Sequence, residues 1–171
     1  VAGPLVLFDP LAPQQHAALG AVPPGSPVAS LCRARATPRE GGDAVDKAVA
    51  LRLRWSNAPV AAWAPLGALL TWEGRAALSD AAAWRRAEDQ DEAAQRRFEV
   101  ATEAGRTTWG GDDAPLLHPE TDVSEVARQV WGADTQAGLL LASAAGGAVD
   151  VAAGPTGFGA GTFHAYAGRD V

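Results

Sequence analysis

The sequence is short of several residue types, and each shortage excludes a class of site. Its 171 residues include a single cysteine, Cys32, a single lysine, Lys47, and no methionine. One cysteine permits neither an intrachain disulfide nor a cysteine-based zinc centre. No apolar run approaches the roughly 20 residues of a membrane-spanning helix, so we expect no membrane partner. Since the chain has no Met and starts at Val1, we expect that residues preceded it in the nascent protein.

Basic residues are fewer than acidic residues. Fourteen basic residues against 20 acidic residues leave a net charge of −6, which argues against binding to nucleic acid or to anionic membranes. Thirteen of the basic residues are arginine, and alanine is abundant, as is typical of a GC-rich bacterial genome. The lone cysteine favours a buried structural thiol and a cytoplasmic location. The length and the 47% hydrophobic content predict one domain over residues 1–171.

Hydrophobic patterning predicts an α+β fold, mainly an antiparallel sheet of about six to seven strands. Alternation from Val45 to Trp55 is the clearest strand signal, and residues 26–37 should pair with it as an antiparallel hairpin because the connecting loop is short. Residues 10–27 are rich in proline, glycine and alanine, and Pro23-Pro24-Gly25 predicts a turn. The other predicted strands are 4–8, 68–72, 139–141, 148–152 and 161–167, with a short edge segment at 59–63.

A helical segment is predicted around residues 80–104, with a shorter helix around 122–131. Ser79 and Asp80 can cap the first of these, and apolar residues then recur at steps of three and four. Asp91 interrupts the apolar stripe. The pattern therefore fits either two helices, about 80–88 and 91–104, or one helix with a solvated middle.

The glycine-rich turn at Gly157, Gly159 and Gly161 has two interpretations. Glycines can bring backbone N–H groups close to a phosphate when a helix follows directly. Here the next residues alternate like a strand and include His164 and Tyr166, so the sequence favours a tight turn that enters a strand.

The histidines and an acidic loop define the metal-site alternative. Asp112, Asp113, Glu120 and Asp122 surround His118 within eleven residues, a mixture of donors that suits a divalent cation. The same composition is typical of a solvated loop. His16, His118 and His164 show no pair at metal-ligand spacing.

Six tryptophans are many for a chain of this length. Trp72 and its neighbours in the first half lie near the ends of predicted elements, where an indole can close the rim of a core. Tryptophan and arginine are also enriched at the hot spots of protein interfaces, so an interaction surface is the alternative.

Six short segments follow one another along the chain in an order that is typical of one protein family. They are Asp9-Pro10, VPPGSPV at 22–28, VALRL at 49–53, PVAAW at 59–63, GRAALSDA at 74–81 and GFGAGTFHAYAGRD at 157–170. Taken together they resemble the bacterial protein family of unknown function number 4241. Three residues depart from its tail motif, because Thr156, Phe158 and Ala160 stand where the family has Ser, Trp and Asp. The resemblance implies an α+β fold and a bacterial origin, and it supplies no catalytic residues.

No nucleophile elbow or other catalytic arrangement is recognisable in the sequence. We therefore expect a non-catalytic cytoplasmic binding protein without a cofactor or metal, whose partner is another protein or a second copy of itself. The candidate binding residues are Trp72, Asp80, Gly157, Gly159, Gly161, His164 and Tyr166. The alternative is a metal-dependent hydrolase that uses the acidic loop 112–122 with His118 or His164.

Overall fold

The computed structural model of the chain describes residues 3–37, 42–71, 74–103, 124–132, 139–144, 149–156 and 159–170. These residues form nine strands and two helices. The strands are β1 (Pro4–Asp9), β2 (Ala12–Ala21), β3 (Val28–Ala36), β4 (Val45–Arg54), β5 (Val60–Thr71), β6 (Arg75–Asp80), β7 (Leu140–Ala142), β8 (Val151–Pro155) and β9 (Gly161–Asp170). The helices are α1 (Ala81–Glu103) and α2 (Glu125–Gly132).

A five-stranded antiparallel sheet with the order β2-β1-β6-β8-β7 forms the middle of the fold. Both of its faces are buried, as β1 shows most clearly. Val6 and Phe8 belong to one hydrophobic cluster, whereas Leu5 and Leu7 belong to a second cluster on the opposite face. A strand that is buried on both faces carries a continuous apolar run, which explains the composition of β1.

The two helices cover one face of this sheet. Helix α1 contributes a stripe that includes Ala83, Trp84 and Ala87, and α2 contributes Val126 and Val130. The sheet residues in the same cluster are Val6, Phe8, Ala77, Ala142, Val151 and Ala153, and Ala144, two residues after β7, joins them. The alanines among them let α1 lie close to the strands, so a small domain still buries a continuous core.

Two antiparallel ribbons cover the other face. The hairpin β3–β4 forms one ribbon, and β5 pairs with the distant strand β9 to form the other. Strand β5 lies over β2, because a Cβ built on Gly67 would be 3.7 Å from the side chains of Ala17 and Leu19. The cluster beneath the ribbons contains Leu5, Leu7, Leu19, Leu69, Ala76 and Leu78. The architecture is therefore three layers: helices, central sheet and ribbons.

The α+β class, the antiparallel pairing and the β3–β4 hairpin are confirmed. Helix α1 is one continuous helix, so the two-helix alternative is wrong. Asp91, which interrupts the apolar stripe, is half-buried at the middle of this helix. Helix α2 lies within the predicted 122–131 segment, apart from its last residue.

The structure differs from the predicted strands in three places. Residues 12–21, for which no strand was predicted, form β2, which pairs with β1 through a two-residue turn at Pro10 and Leu11. Residues 60–63 and 68–71 of the two segments predicted separately belong to one strand, β5, because a register shift beside Pro65 accommodates the proline and Gly67. Residues 75–80, for which no strand was predicted, form β6. The described strands therefore number nine, where six to seven were predicted.

A close backbone contact joins the central sheet to the β5–β9 ribbon. Gly74, which precedes β6, has a φ of 67°, and a Cβ at this position would lie 2.6 Å from the backbone of Gly159. Thr156, which follows β8, binds Gly74 just before β6, since the Thr156 backbone N–H donates to the Gly74 carbonyl at 2.8 Å. The Thr156 hydroxyl lies 2.9 Å from the carbonyl oxygens of Gly74 and Gly159. Only glycine fits at position 74.

The Gly74→Ala substitution should destabilise the protein more than Gly20→Ala. Both glycines have a positive φ, but a Cβ on Gly20 meets no atom within 4 Å. Gly20→Ala should therefore cost only the backbone strain, about 1–2 kcal/mol. Gly74→Ala should cost at least about 2 kcal/mol more, because its Cβ must displace a backbone. Urea denaturation of both variants measures the difference, and equal losses would show that the contact is not tight.

Burial of Asp91 raises the pKa of its carboxyl above the ordinary value of 3.8, and the neighbouring Glu92 raises it further. A carboxyl with a raised pKa in the folded state stabilises that state when protonated, and this contribution is lost as pH rises through the raised pKa. Asp91→Asn should therefore be more stable than the parent at neutral pH. Its advantage should disappear below pH 3.8.

Thermal unfolding of Asp91→Asn and of the parent, from neutral pH to below pH 3.8, measures the difference in stability. Asp89→Asn is the matched control, because Asp89 is an exposed carboxylate on the same helix. A pH profile for Asp91→Asn that parallels the profile of Asp89→Asn would contradict the assignment.

Candidate functional site

The structure separates the residues that the sequence grouped as binding candidates. Asp80 lies at the start of α1, Gly159 and Gly161 lie at the entry to β9, and His164 and Tyr166 lie within β9. Trp72, Gly157 and the acidic loop 112–122 with His118 lie outside the described residues. The predicted set therefore divides into a helix cap, a turn and a strand face.

Asp80 is an N-cap. Its Oδ1 accepts a hydrogen bond of 2.8 Å from the backbone N–H of Ala83, one of the N–H groups that the first helical turn leaves without a partner. The Ser79 hydroxyl donates to the Asp80 carbonyl at 2.9 Å. This geometry supports a structural role for Asp80, as the helix prediction implied.

Replacing Asp80 should affect stability according to its capping ability. Asp80→Ala should lower the free energy of unfolding by about 1 kcal/mol, whereas Asp80→Asn should stay close to the parent because the amide oxygen also caps. Chemical denaturation measures both variants. Equal losses for Asn and Ala would mean that the charge, and not the cap, is the function of this residue.

The described part of the glycine-rich turn also has a structural role. Gly159 makes the close contact with Gly74 described above, and Gly161 pairs with Thr71 at the first position of β9. A strand follows this turn, so the arrangement lacks the helix N-terminus that a phosphate loop requires. The prediction that a strand follows these glycines is confirmed.

His164 lies opposite Ala68 in the β5–β9 register and is exposed. Among the residues that the structure describes, no three histidine, cysteine or carboxylate side chains come together as a metal site. The predicted ligands Asp112, Asp113, His118, Glu120 and Asp122 lie outside these residues.

The outward side of the β5–β9 ribbon brings together exposed apolar and aromatic residues. We call this side the outer face and define it by Trp63, Pro65, Ala68, Leu70, Thr162, His164 and Tyr166, all exposed. Trp63 is 59% exposed, Tyr166 56% and Leu70 45%. Leu66, at the bulge, is also exposed, at 38%. The segments 63–70 and 162–168 contain no Lys, Arg, Asp or Glu.

The register explains why these residues share one face. Leu70 lies opposite Thr162 and Ala68 lies opposite His164. Directly opposite residues in an antiparallel pair point to the same side. The alternate residues face the core, where Leu69 is buried. The outer face is therefore the side of the ribbon that the described part of the chain leaves uncovered.

Trp63 covers the end of β9. Its ring carbon Cζ3 would lie 3.2 Å from a Cβ built on Gly168, its opposite residue, and a Val60 methyl group would lie 3.0 Å from the same position. The indole therefore packs over the bare glycine backbone while its other face stays open to solvent. An aromatic ring held in this way presents a large apolar surface at a low cost in side-chain entropy.

Three tryptophan side chains are described, and they differ in environment. Trp84 is buried, its Nε1 donates to the Pro13 carbonyl at 2.9 Å, and His16 packs against its ring at 4.1 Å between centroids. Trp55 packs against the second core cluster. These two fit the prediction of core packing, whereas Trp63 fits the alternative of an interaction surface.

The polar residues on the helical side hold segments of the chain together. Arg86 on α1 forms an ion pair of 2.6 Å with Asp150, whose other oxygen accepts from the Ala144 N–H at 2.9 Å. Gln90 donates to the Ala144 carbonyl and accepts from the Glu125 N–H. Each of these groups is used to position the end of β7 or the start of α2.

Helix α2 begins with two further polar contacts. Ser124 caps it, since the Ser124 hydroxyl accepts from the Ala127 N–H at 3.1 Å. Hydrogen bonds from the Arg128 guanidinium lower the pKa of the Glu125 carboxyl, and Gln129 adds to this effect. Gln129 also pairs with the backbone of Ser143 through both its amide nitrogen and its amide oxygen. These groups therefore stabilise the helix and its contact with β7.

Comparison with known proteins finds no matching family model, no matching curated protein and no matching solved structure. The resemblance to family 4241 therefore rests on the segments quoted above. Within the described part of the chain, neither helix is both long and apolar enough to cross a membrane.

The candidate binding residues that the sequence predicted include two on the outer face, His164 and Tyr166. They do not include the exposed Trp63, Leu66 and Leu70. The missed residues lie on β5, which the pattern divided at Pro65 and Gly67. The available signal was that residues 60–71 contain no charged side chain. An uncharged stretch of that length indicates burial or an interface.

Proposed function

We propose that this protein is a non-catalytic binding protein of the bacterial cytoplasm and that the β5–β9 ribbon is its interaction surface. One observation carries the proposal. The ribbon exposes four large apolar or aromatic side chains, Trp63, Leu66, Leu70 and Tyr166, in segments 63–70 and 162–168, which contain no Lys, Arg, Asp or Glu. Soluble domains rarely leave such residues clustered unless a partner covers them.

The composition of the outer face favours a protein partner. Tryptophan and tyrosine are the residue types that contribute most at interface hot spots, and the core of an interface is depleted of charge. The two aromatic residues occupy diagonal positions on the same face, since Tyr166 is opposite Pro65 and Trp63 is opposite Gly168.

The structural roles of the other candidates support a non-catalytic function. Asp80 caps a helix, and Gly159 closes a backbone contact. The metal-dependent hydrolase that would use the acidic loop 112–122 stays a prediction, because its ligands lie outside the described residues.

Photo-crosslinking at position 63 tests the proposal. With p-benzoylphenylalanine in place of Trp63, irradiation of the native cells should yield a discrete protein adduct. The same amino acid in place of Val45 is the matched control, because Val45 is exposed on the other ribbon at 43%. We expect no discrete adduct from position 45.

A covered surface predicts a clear difference between the two positions. Equal adducts from positions 63 and 45, or none from either, would contradict the proposal. A second variant, Trp63→Ser with Leu70→Ser, should abolish an adduct formed from position 166. Thermal unfolding of that variant should stay cooperative with a modest loss of stability, because Trp63 packs over Gly168 but neither side chain belongs to the buried core.

A further inference from the structure

The edges of the described strands differ in how they are protected from pairing with another chain. Natural proteins guard edge strands with proline, charged residues, bulges or short length. Strand β2 has Pro13, β7 has only three residues, and β5 has Pro65 beside a bulge. The β3–β4 ribbon carries the charged residues Arg33, Arg35, Asp46, Lys47, Arg52 and Arg54.

Strand β9 has none of these protections along most of its length. It is ten residues long, contains no proline, and has its charged residues only at the end, Arg169 and Asp170. In the described part of the chain its only strand partner is β5. One edge of β9 therefore presents a row of backbone N–H and C=O groups that no described strand satisfies.

We infer that this edge pairs with β9 of a second copy of the chain, in an antiparallel arrangement with Ala165 on the two-fold axis. The inference rests on the proposed function, since it names the partner of the same ribbon. A two-fold interface requires a self-complementary surface, and antiparallel self-pairing of one strand has that symmetry.

The side chains of β9 fit this register. With Ala165 opposite its own copy, each His164 lies opposite the partner's Tyr166, which gives two aromatic pairs on the outer face. On the inner face, Phe163 lies opposite the small Ala167. A register centred on Tyr166 would give one Tyr–Tyr pair and leave His164 opposite Gly168. Aromatic pairs directly opposite each other stabilise a sheet, so the Ala165 register is favoured.

The paired ribbons would form one four-stranded sheet with the order β5-β9-β9-β5. The two-fold axis is perpendicular to this sheet, so both outer faces lie on the same side. The outer face of one copy would then be continuous with the outer face of the other. The apolar surface would double in width without any change within the monomer.

Charge substitutions at positions 164 and 166 test both the contact and its register. His164→Glu with Tyr166→Glu places like charges opposite each other in both pairs and should weaken the dimer at least about tenfold. His164→Glu with Tyr166→Lys places opposite charges together in the Ala165 register and should restore it to within about threefold of the parent. The Tyr166 register would place two lysines together instead.

Analytical ultracentrifugation from about 1 to 100 μM measures the dissociation constants. Val45→Glu with Val49→Glu is the matched control, because both valines are exposed on the other ribbon, and it should dimerise like the parent. Circular dichroism should show an unchanged fold, since His164 and Tyr166 are exposed. A monomeric parent at the highest concentration, or equal weakening by both charge pairs, would overturn the inference.

The two proposals fail in different ways. If the parent is monomeric while position 63 still crosslinks to another protein, the self-pairing is wrong and the proposed function stands. If the parent dimerises as described but position 63 crosslinks no more than position 45, the self-pairing stands and the wider binding function is wrong.

Discussion

Burial of the central sheet on both faces is the constraint on which the rest of the structure depends. Because Leu5 and Leu7 point away from the helices, the chain needs a second covering layer, and the two ribbons supply it. A two-stranded ribbon can bury only one of its own faces. The layer that completes the core therefore leaves new surface exposed, and its composition decides whether that surface is inert. The β3–β4 ribbon is rich in charge, whereas the β5–β9 ribbon is apolar and aromatic.

The parts of the fold that could be predicted are those that local pattern determines. The alternation of β4, the short loop before it and the Asp80 cap each depend on residues near in sequence. Strand β2 was missed because its alanines and glutamines carry little hydrophobic signal, although Leu19 is buried. Strand β6 was missed for a similar reason, since its Ala77 becomes buried only because other strands and α1 cover it. In both strands the contacts, and not the residues' own preferences, determine the conformation.

The candidate site depends on a pairing that no local pattern contains. Trp63 and Gly168 are opposite each other although more than a hundred residues separate them. The Trp63 indole packs over the backbone of Gly168. Glycine has no side chain that could cover the indole in turn, so the ring stays exposed. Each residue alone is ambiguous: a tryptophan predicts core and a glycine predicts a turn. Only the pairing of β5 with β9 shows that together they form a surface.

The junction at Gly74, Thr156 and Gly159 relates this surface to the core. It fixes the chain just before β9 to the start of β6, a strand at the centre of the sheet, through hydrogen bonds that leave no room for a side chain at position 74. A ribbon anchored in this way at its β9 end is held in place before any partner arrives. Preorganisation lowers the entropic cost of association, because fewer torsions must be ordered in the complex. The close backbone contact at Gly74 therefore serves the exposed ribbon as well as the buried sheet, because it anchors the start of β9 to the strand at the centre of the fold.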